Sequence, residues 1–176
     1  VRMTYKHSNF GFTEGAIAAS KKAGVRWEDL AGRRLFQPLK MTSTSYRYSD
    51  YRNTANKAAI HTIVDGKAIA RYHRDPDAEA PAGAASSSVR DLAEWLRLQL
   101  AGGTWNGQRI VAAGALKETH SAQVQSGTDP LTGKPLYYGL GWNVNHDRAG
   151  NLILSHSGAF FLGTGTTVKF SPSQQL

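Results

Sequence analysis

The sequence predicts an α+β fold: an antiparallel sheet flanked by helices, with a mainly helical second region. Three observations carry the prediction. Helical periodicity fills residues 10–39 in two stretches. A second amphipathic run occupies residues 88–100. The chain then closes on two strands, residues 152–154 running on to His156, and 166–170, rich in β-branched residues and joined across Gly163 and Gly165.

Each element has a local reason. Residues 10–23 place small and apolar side chains at helical spacing, with Ser8 or Asn9 able to cap the start and Gly24 placed to stop it. In residues 27–39, Trp27, Leu30, Ala31, Leu35 and Leu39 share one stripe, and Pro38 presses on its end. Residues 42–56 are polar and read as a loop. Asp65-Gly66, flanked by residues 58–64 and 67–73, signals a type I′ hairpin. Pro76, Pro81 and Gly83 mark residues 74–85 as another loop.

The clearest helix starts at Ser88, which pairs with Asp91 as a capping box with Asp in place of Glu. Val89, Leu92, Ala93, Leu96 and Leu100 make its expected buried stripe, and Gly102-Gly103 end it. Asn106-Gly107 is a turn, residues 113–121 are a short helix without a good cap, and 126–135 read as a loop. Tyr138-Gly-Leu-Gly-Trp142 then leads into a strand, and residues 147–151 turn back to the final pair. There is no internal repeat, and residues 1–176 are expected to form a single domain.

The totals narrow the function classes. The formal net charge is +8, from 21 Lys and Arg against 13 Asp and Glu. The basic residues fall in scattered pairs, Lys21-Lys22 and Arg33-Arg34, and no nucleic-acid module is legible, so no nucleic-acid partner is expected. No apolar run reaches the roughly 18 residues of a membrane span. Zero cysteines rules out disulfides and thiolate metal sites, and suits a cytosolic or a periplasmic address. Six histidines are spread widely with no His-Glu-x-x-His pair, so no metal is expected. Gly163-Thr-Gly165 lacks the rest of a dinucleotide fingerprint, so no cofactor is expected either.

Two stretches carry candidate chemistry. His156 and Gly158 point to one face of their strand, and Gly158 lets a ligand lie against the backbone. They make either a substrate cradle or a hairpin with a satisfied His and a bulge. Near the start, Tyr5-Lys-His-Ser-Asn-Phe-Gly11 offers either a simple capped helix or an Asn9 amide for a substrate carbonyl, with His7 as acid or base.

Together, these segments resemble the serine hydrolases built like class C β-lactamases, DD-peptidases and related esterases. HSNFGFTEGA is similar to that family's second motif, Tyr-x-Asn, followed by Phe-Gly and a helix. PAGAASSSVRDLAEWLRLQLAGG resembles its Ala-Gly-Gly…Ser…Asp-Leu-Ala helix. YYGLGW matches a Tyr-Gly-Leu-Gly-Trp strand entry, and His156-Ser157-Gly158 the third motif, His/Lys-x-Gly. His7 and His156 stand 149 residues apart, a fitting interval for the two motifs. Tyr51-Arg-Asn53 also fits Tyr-x-Asn, but no Gly-helix follows it and it lies only 105 residues before His156.

The chain departs from the family in three places. No serine has a Lys three residues on, so the nucleophile's Ser-x-x-Lys is expected in a missing segment upstream of Val1. The last strand ends near Phe170, where the family has a further strand and helix. His7 stands where the family has Tyr. A Tyr shuttle must be lowered from a reference pKa near ~10, whereas imidazole at about 6.5 is already poised near neutrality.

The resemblance implies a β-lactamase/transpeptidase-like fold, expected here to be incomplete at both ends, and acyl transfer from an ester or amide to a serine and then to water. By that resemblance His7 is the proton shuttle, Asn9 binds the substrate carbonyl or the catalytic Lys, and His156 donates to a substrate carboxylate or polarises the leaving group. Ser157, Gly158 and Ala159 line the substrate, with the Ala159 N–H as one oxyanion donor. The partner is a small-molecule or peptide substrate, and the address leans periplasmic or secreted. An imidazole mostly neutral at pH 7 favours a peptidase or esterase over a β-lactamase, whose substrate carboxylate suits a fixed cation. Two other readings stay open: a non-catalytic homologue that binds a cell-wall-like peptide, and a basic anion-binding module.

Overall fold

Ser8 starts the first helix, α1 (Asn9–Lys22), by accepting the Gly11 N–H on its Oγ at 3.1 Å. Of the two caps the sequence allows, Ser8 is the one used. The computed structural model describes residues 4–160 and 162–174; Val1 and Leu176, on which the readings of flanking segments rest, lie outside them. The chain divides into two compact units, one of Val1–His7, Trp95–Ser157 and Thr167–Leu176, the other of Ser8–Glu94 and Gly158–Thr166.

The second of these is mainly helical, as expected. After α1 come α2 (Trp27–Ala31) and a π-helical turn, Gly32–Phe36, which together cover most of the stripe read from Trp27 to Leu39. Leu39 is fully buried, and Phe36 and Met41 are buried as well. Tyr46 stacks on Phe36 with centroids 5.5 Å apart and meets Trp27 edge-on. The hairpin of β1 (Thr62–Val64) and β2 (Lys67–Ile69) turns at Asp65 (φ 50°) and Gly66 (φ 73°), the doubly positive φ of a type I′ turn. Its strands are shorter than the flanking apolar runs suggest.

Two expected loops contain helices. Residues 42–56 hold α3 (Tyr48–Asn53), whose Tyr48 N–H donates to Asp77 Oδ1 at 2.8 Å, a partner 29 residues away that no local pattern announces. Residues 74–85 hold a 3₁₀ turn, Asp77–Glu79, and α4 (Ala80–Gly83). Pro81 lies in the first turn of α4, where its missing N–H has no helical acceptor to lose, so a residue that reads as a breaker is an opener here.

The expected stripe of α5 (Val89–Leu100) needs correction. Ser88 caps it as predicted, its Oγ accepting the Asp91 N–H at 3.2 Å. Yet Val89 is 84% exposed and Leu92 44% exposed, while Asp91 is buried. Asp91 Oδ2 accepts the Ser43 N–H at 2.8 Å and the Thr44 hydroxyl at 2.7 Å, so the first turn is oriented by polar partners rather than by apolar contact.

The remaining unit holds most of the sheet and its core. The five strands are β5 (Val124–Thr128), β6 (Pro135–Tyr138), β7 (Asn143–His146), β8 (Leu152–Phe160) and β9 (Thr164–Phe170), in that order across one antiparallel sheet. A two-strand hairpin, β3 (Thr104–Trp105) and β4 (Gln108–Arg109), turns at Asn106-Gly107, and α6 (Ala113–Thr119) follows. The loop expected over 126–135 begins later and ends sooner: β5 runs to Thr128, and the turn is closed by Asp129 Oδ1 accepting the Leu131 N–H at 2.8 Å. The polar Gln-Ser-Gly-Thr run of β5 carries no strand pattern.

Trp142, Val144, Leu154 and Phe170 form the buried cluster, with Trp95, Leu96 and Leu100 packed against it. Leu96 and Leu100 thus serve as the sequence leads one to expect, while Leu98 is buried outside that stripe. Trp142 stacks on Trp95 at 5.4 Å and meets Phe170 edge-on at 5.0 Å. Gly139 must be glycine: a Cβ there would lie 2.5 Å from the carbonyl oxygen of Thr119 at the end of α6. That close approach sets the Tyr-Gly-Leu-Gly-Trp segment against α6, directly after Tyr138 at the end of β6.

Candidate active site

The candidate residues divide between the two units: His7, His156 and Ser157 in the sheet unit, Asn9, Gly158 and Ala159 in the helical one. Among the described residues no three His, Asp or Glu side chains group closely enough to hold a metal ion. No described helix is long and apolar enough to cross a membrane.

In the sheet unit, β8 carries His156 beside Tyr138. The two rings meet edge-on, centroids 6.3 Å apart, and Tyr138 packs against Tyr5 at 5.1 Å. Tyr138 is buried, and its Oη has no hydrogen-bond partner among the described residues. Burial, with Tyr5 adding to it, pushes the phenol up to about 12, so at neutral pH it is a proton donor and not a base. Burial also pulls His156 below the ordinary imidazole value, and the proximity of His7 adds to it. Two histidines 149 residues apart in sequence are therefore within each other's electrostatic reach. At pH 7 the His156 imidazole is mostly neutral, with one N–H to give and one lone pair to receive. Ser157, next on the strand, is exposed.

In the helical unit, Asn9 is the first residue of α1, directly after the Ser8 cap. Its Nδ2 donates to Glu79 Oε2 at 3.5 Å. Glu79 forms an ion pair with Arg74 Nη2, and the Arg74 guanidinium lies 3.7 Å over the centroid of the Phe160 ring. Gly158 and Ala159 are exposed on β8, two residues and one residue before Phe160. A Cβ on Gly158 would meet the Thr166 Oγ1 at 3.3 Å, a tight contact with a hydroxyl able to rotate away. Gly158 therefore keeps one face of the strand low without being forced by its own backbone.

A family model described as Beta-lactamase matches residues 1–176. The chain belongs to the Beta-lactamase family. Its fold is shared with solved structures at low identity. It is similar to an octameric penicillin-binding protein homologue from Pyrococcus abyssi, with a TM-score of 0.80 and 17% identity over 99% of this chain and 37% of that one. It is also similar to a D-stereospecific amidohydrolase from Streptomyces sp., with a TM-score of 0.78 and 20% identity over 98% of this chain and 48% of that one. This Beta-lactamase-family chain thus spans less than half the length of either structure. No curated protein sequence matches it. The family is one of serine-hydrolase-like acyl transfer, and the mixed helical and antiparallel architecture expected from the sequence is the one observed.

Within the family chain, four residues of these clusters escape a reading of the sequence: Tyr5, Tyr138, Glu79 and Arg74. Tyr138 is visible there only as part of a strand entry, and Glu79 and Arg74 lie in a stretch that reads as loop. Glu79 meets Asn9 across 70 residues of chain and Arg74 meets Phe160 across 86, beyond any local pattern. Tyr51, the rejected alternative for the second motif, instead donates its hydroxyl to the Ala58 carbonyl at 2.7 Å.

Proposed function

We propose that this chain is the middle and late part of a serine hydrolase that transfers an acyl group from a small ester or peptide-like amide to a serine and then to water. The observation that carries the reading is the ring cluster Tyr5, Tyr138 and His156, with centroids 5.1 and 6.3 Å apart, which sets the stretch leading into the second motif against the third motif within one unit. In this reading His7 accepts the proton of the nucleophile and returns it to the leaving group. His156, neutral and facing a buried phenol, donates an N–H to the substrate. Asn9 holds polar groups of the nucleophile's surroundings, Ser157 and Gly158 line the acyl chain, and the Ala159 N–H stabilises the oxyanion. The nucleophile, a Ser-x-x-Lys serine, belongs to a segment outside these 176 residues.

A neutral His156 also supports the preference within the family. A β-lactam carboxylate is held best by a fixed cation, and a desolvated imidazole is a poor one. Esters and amides need only a hydrogen-bond donor there. The test is turnover by the full-length reading frame on three substrates at about pH 7.5: a chromogenic ester, a D-amino-acid anilide and a chromogenic cephalosporin. The expected order puts the ester or anilide at least about tenfold above the cephalosporin in kcat/KM. Cephalosporin as the best substrate would contradict the preference. Tight peptide binding without turnover of any substrate would identify a binding homologue instead.

A further inference from the structure

We propose that Glu79 is a positioning residue that fixes which edge of the Asn9 amide is presented at the second motif; the inference rests on the acyl-transfer reading above. Asn9 can serve such a site in two ways. Its NH₂ edge can donate to a substrate carbonyl, or its Oδ1 edge can accept from a cation or hydroxyl of the nucleophile's surroundings. The two edges lie on opposite sides of a planar group, so whatever faces one edge decides where the other points.

Glu79 faces the NH₂ edge. Its Oε2 receives Asn9 Nδ2 at 3.5 Å, and its Oε1 is paired with Arg74 Nη2. A carboxylate engaged by a guanidinium accepts hydrogen bonds and has none to give, so only the amide nitrogen can stand against it. The chemistry of the pair therefore fixes the amide. Oδ1 is then turned away from Glu79, as the acceptor role requires.

The carboxylate is itself held. The Arg74 and Glu79 side chains are only 24% and 22% exposed, so their attraction is less screened than that of a surface pair. The guanidinium lies 3.7 Å over the Phe160 ring, a cation–π geometry, and the far edge of that ring abuts α4, where a Cβ on Gly83 would come 2.7 Å from Phe160 Cζ. Phe160 follows directly on Ala159. The chain Asn9, Glu79, Arg74, Phe160 therefore links the orientation of the second motif's amide to the strand that carries the oxyanion donor. All four residues belong to the helical unit.

The experiment uses the full-length reading frame with Glu79→Leu, Asn9→Asp and the double variant Asn9→Asp/Glu79→Gln, read as separate kcat and KM values on the ester. Glu79→Leu removes the acceptor, so kcat is expected to fall about tenfold or more with KM within about twofold, because the lost interaction serves the chemical step. Asn9→Asp sets two carboxylates against each other and is expected to lose activity as well. The double variant restores the contact with its direction reversed: the introduced glutamine amide donates to the introduced aspartate, whose other oxygen is still an acceptor. Recovery of kcat to within about fivefold of the native enzyme supports the proposal. Native kcat in Glu79→Leu, a loss confined to KM, or a double variant no better than Asn9→Asp overturns it. If the full-length protein turns over nothing, the acyl-transfer reading fails on its own. The orientation is then read in the same full-length protein from the ¹H–¹⁵N resonances of the Asn9 side-chain amide. A shift of that pair in Glu79→Leu supports the Glu79 contact, and an unmoved pair overturns it.

Discussion

Around His156 the neighbours are rings, Tyr138 and beyond it Tyr5, with His7 in electrostatic reach. Around Asn9 the neighbours are charges, Glu79 and beyond it Arg74, and the ring at the end of the chain serves as a seat for the cation. The two regions hold polar side chains by opposite means. In the first, removal of water keeps His156 neutral and Tyr138 protonated, so a change of pH acts on it directly. In the second, a carboxylate paired with a guanidinium faces the amide, so a change of charge acts on it directly.

The largest expected effect comes from breaking the first region at His7. His7→Phe should lower kcat/KM of the full-length enzyme by on the order of 10²–10⁴ and remove the acidic limb of its pH profile, if His7 moves the proton. Steady-state rates from about pH 5 to 9 check this, and a variant that keeps its rate and its limb would leave His7 as packing only. A smaller effect follows at the strand. Gly158→Val should cost at least about tenfold in kcat/KM while the thermal midpoint moves little, since a Cβ there displaces only the Thr166 hydroxyl at 3.3 Å and β-branched residues suit strands. Survival of activity within about twofold would remove the strand from substrate binding.

The smallest effect concerns stability. His156, and His120 packed edge-on against Trp142 and Phe170 in the sheet core, are both pulled below 6.5 by burial. In the unfolded chain each takes a proton near its ordinary value, while in the folded chain each resists it, so the unfolded state binds more protons over that interval. Their contribution to stability is complete above about pH 6.5 and is lost as pH falls below it. The thermal midpoint should therefore drop between about pH 7.5 and 5.5, and His156→Gln or His120→Gln should flatten the drop. An equal drop in both variants would mean that another group titrates.

The features legible in the sequence are those with local causes. Ser8 and Ser88 cap helices through hydroxyls within three residues of the N–H they satisfy, and Asp65-Gly66 makes its turn from its own two φ angles. The first turn of α5 is illegible for the opposite reason. Val89 and Leu92 fit a stripe, but Asp91 is drawn inward by Ser43 and Thr44, 48 and 47 residues earlier. The same division runs through the candidate site. His7, Asn9 and His156 stand in short motifs, whereas Glu79, Arg74 and Tyr138 matter only through partners that the fold supplies. Periodicity reports which face of an element is apolar. It does not report which groups meet across the fold, and here such meetings set Glu79 against Asn9 and Tyr138 against His156.

Mapping a serine-directed covalent probe tests the proposed chemistry most directly. A fluorophosphonate would be incubated with the full-length reading frame and, separately, with the 176-residue chain, and the adduct located by peptide mass spectrometry. The expected result is one adduct in the full-length protein, on a serine followed three residues later by Lys and lying outside these 176 residues, with none on the chain alone. An adduct on any serine within residues 1–176, or ester turnover by the full-length protein with no adduct anywhere, would contradict it.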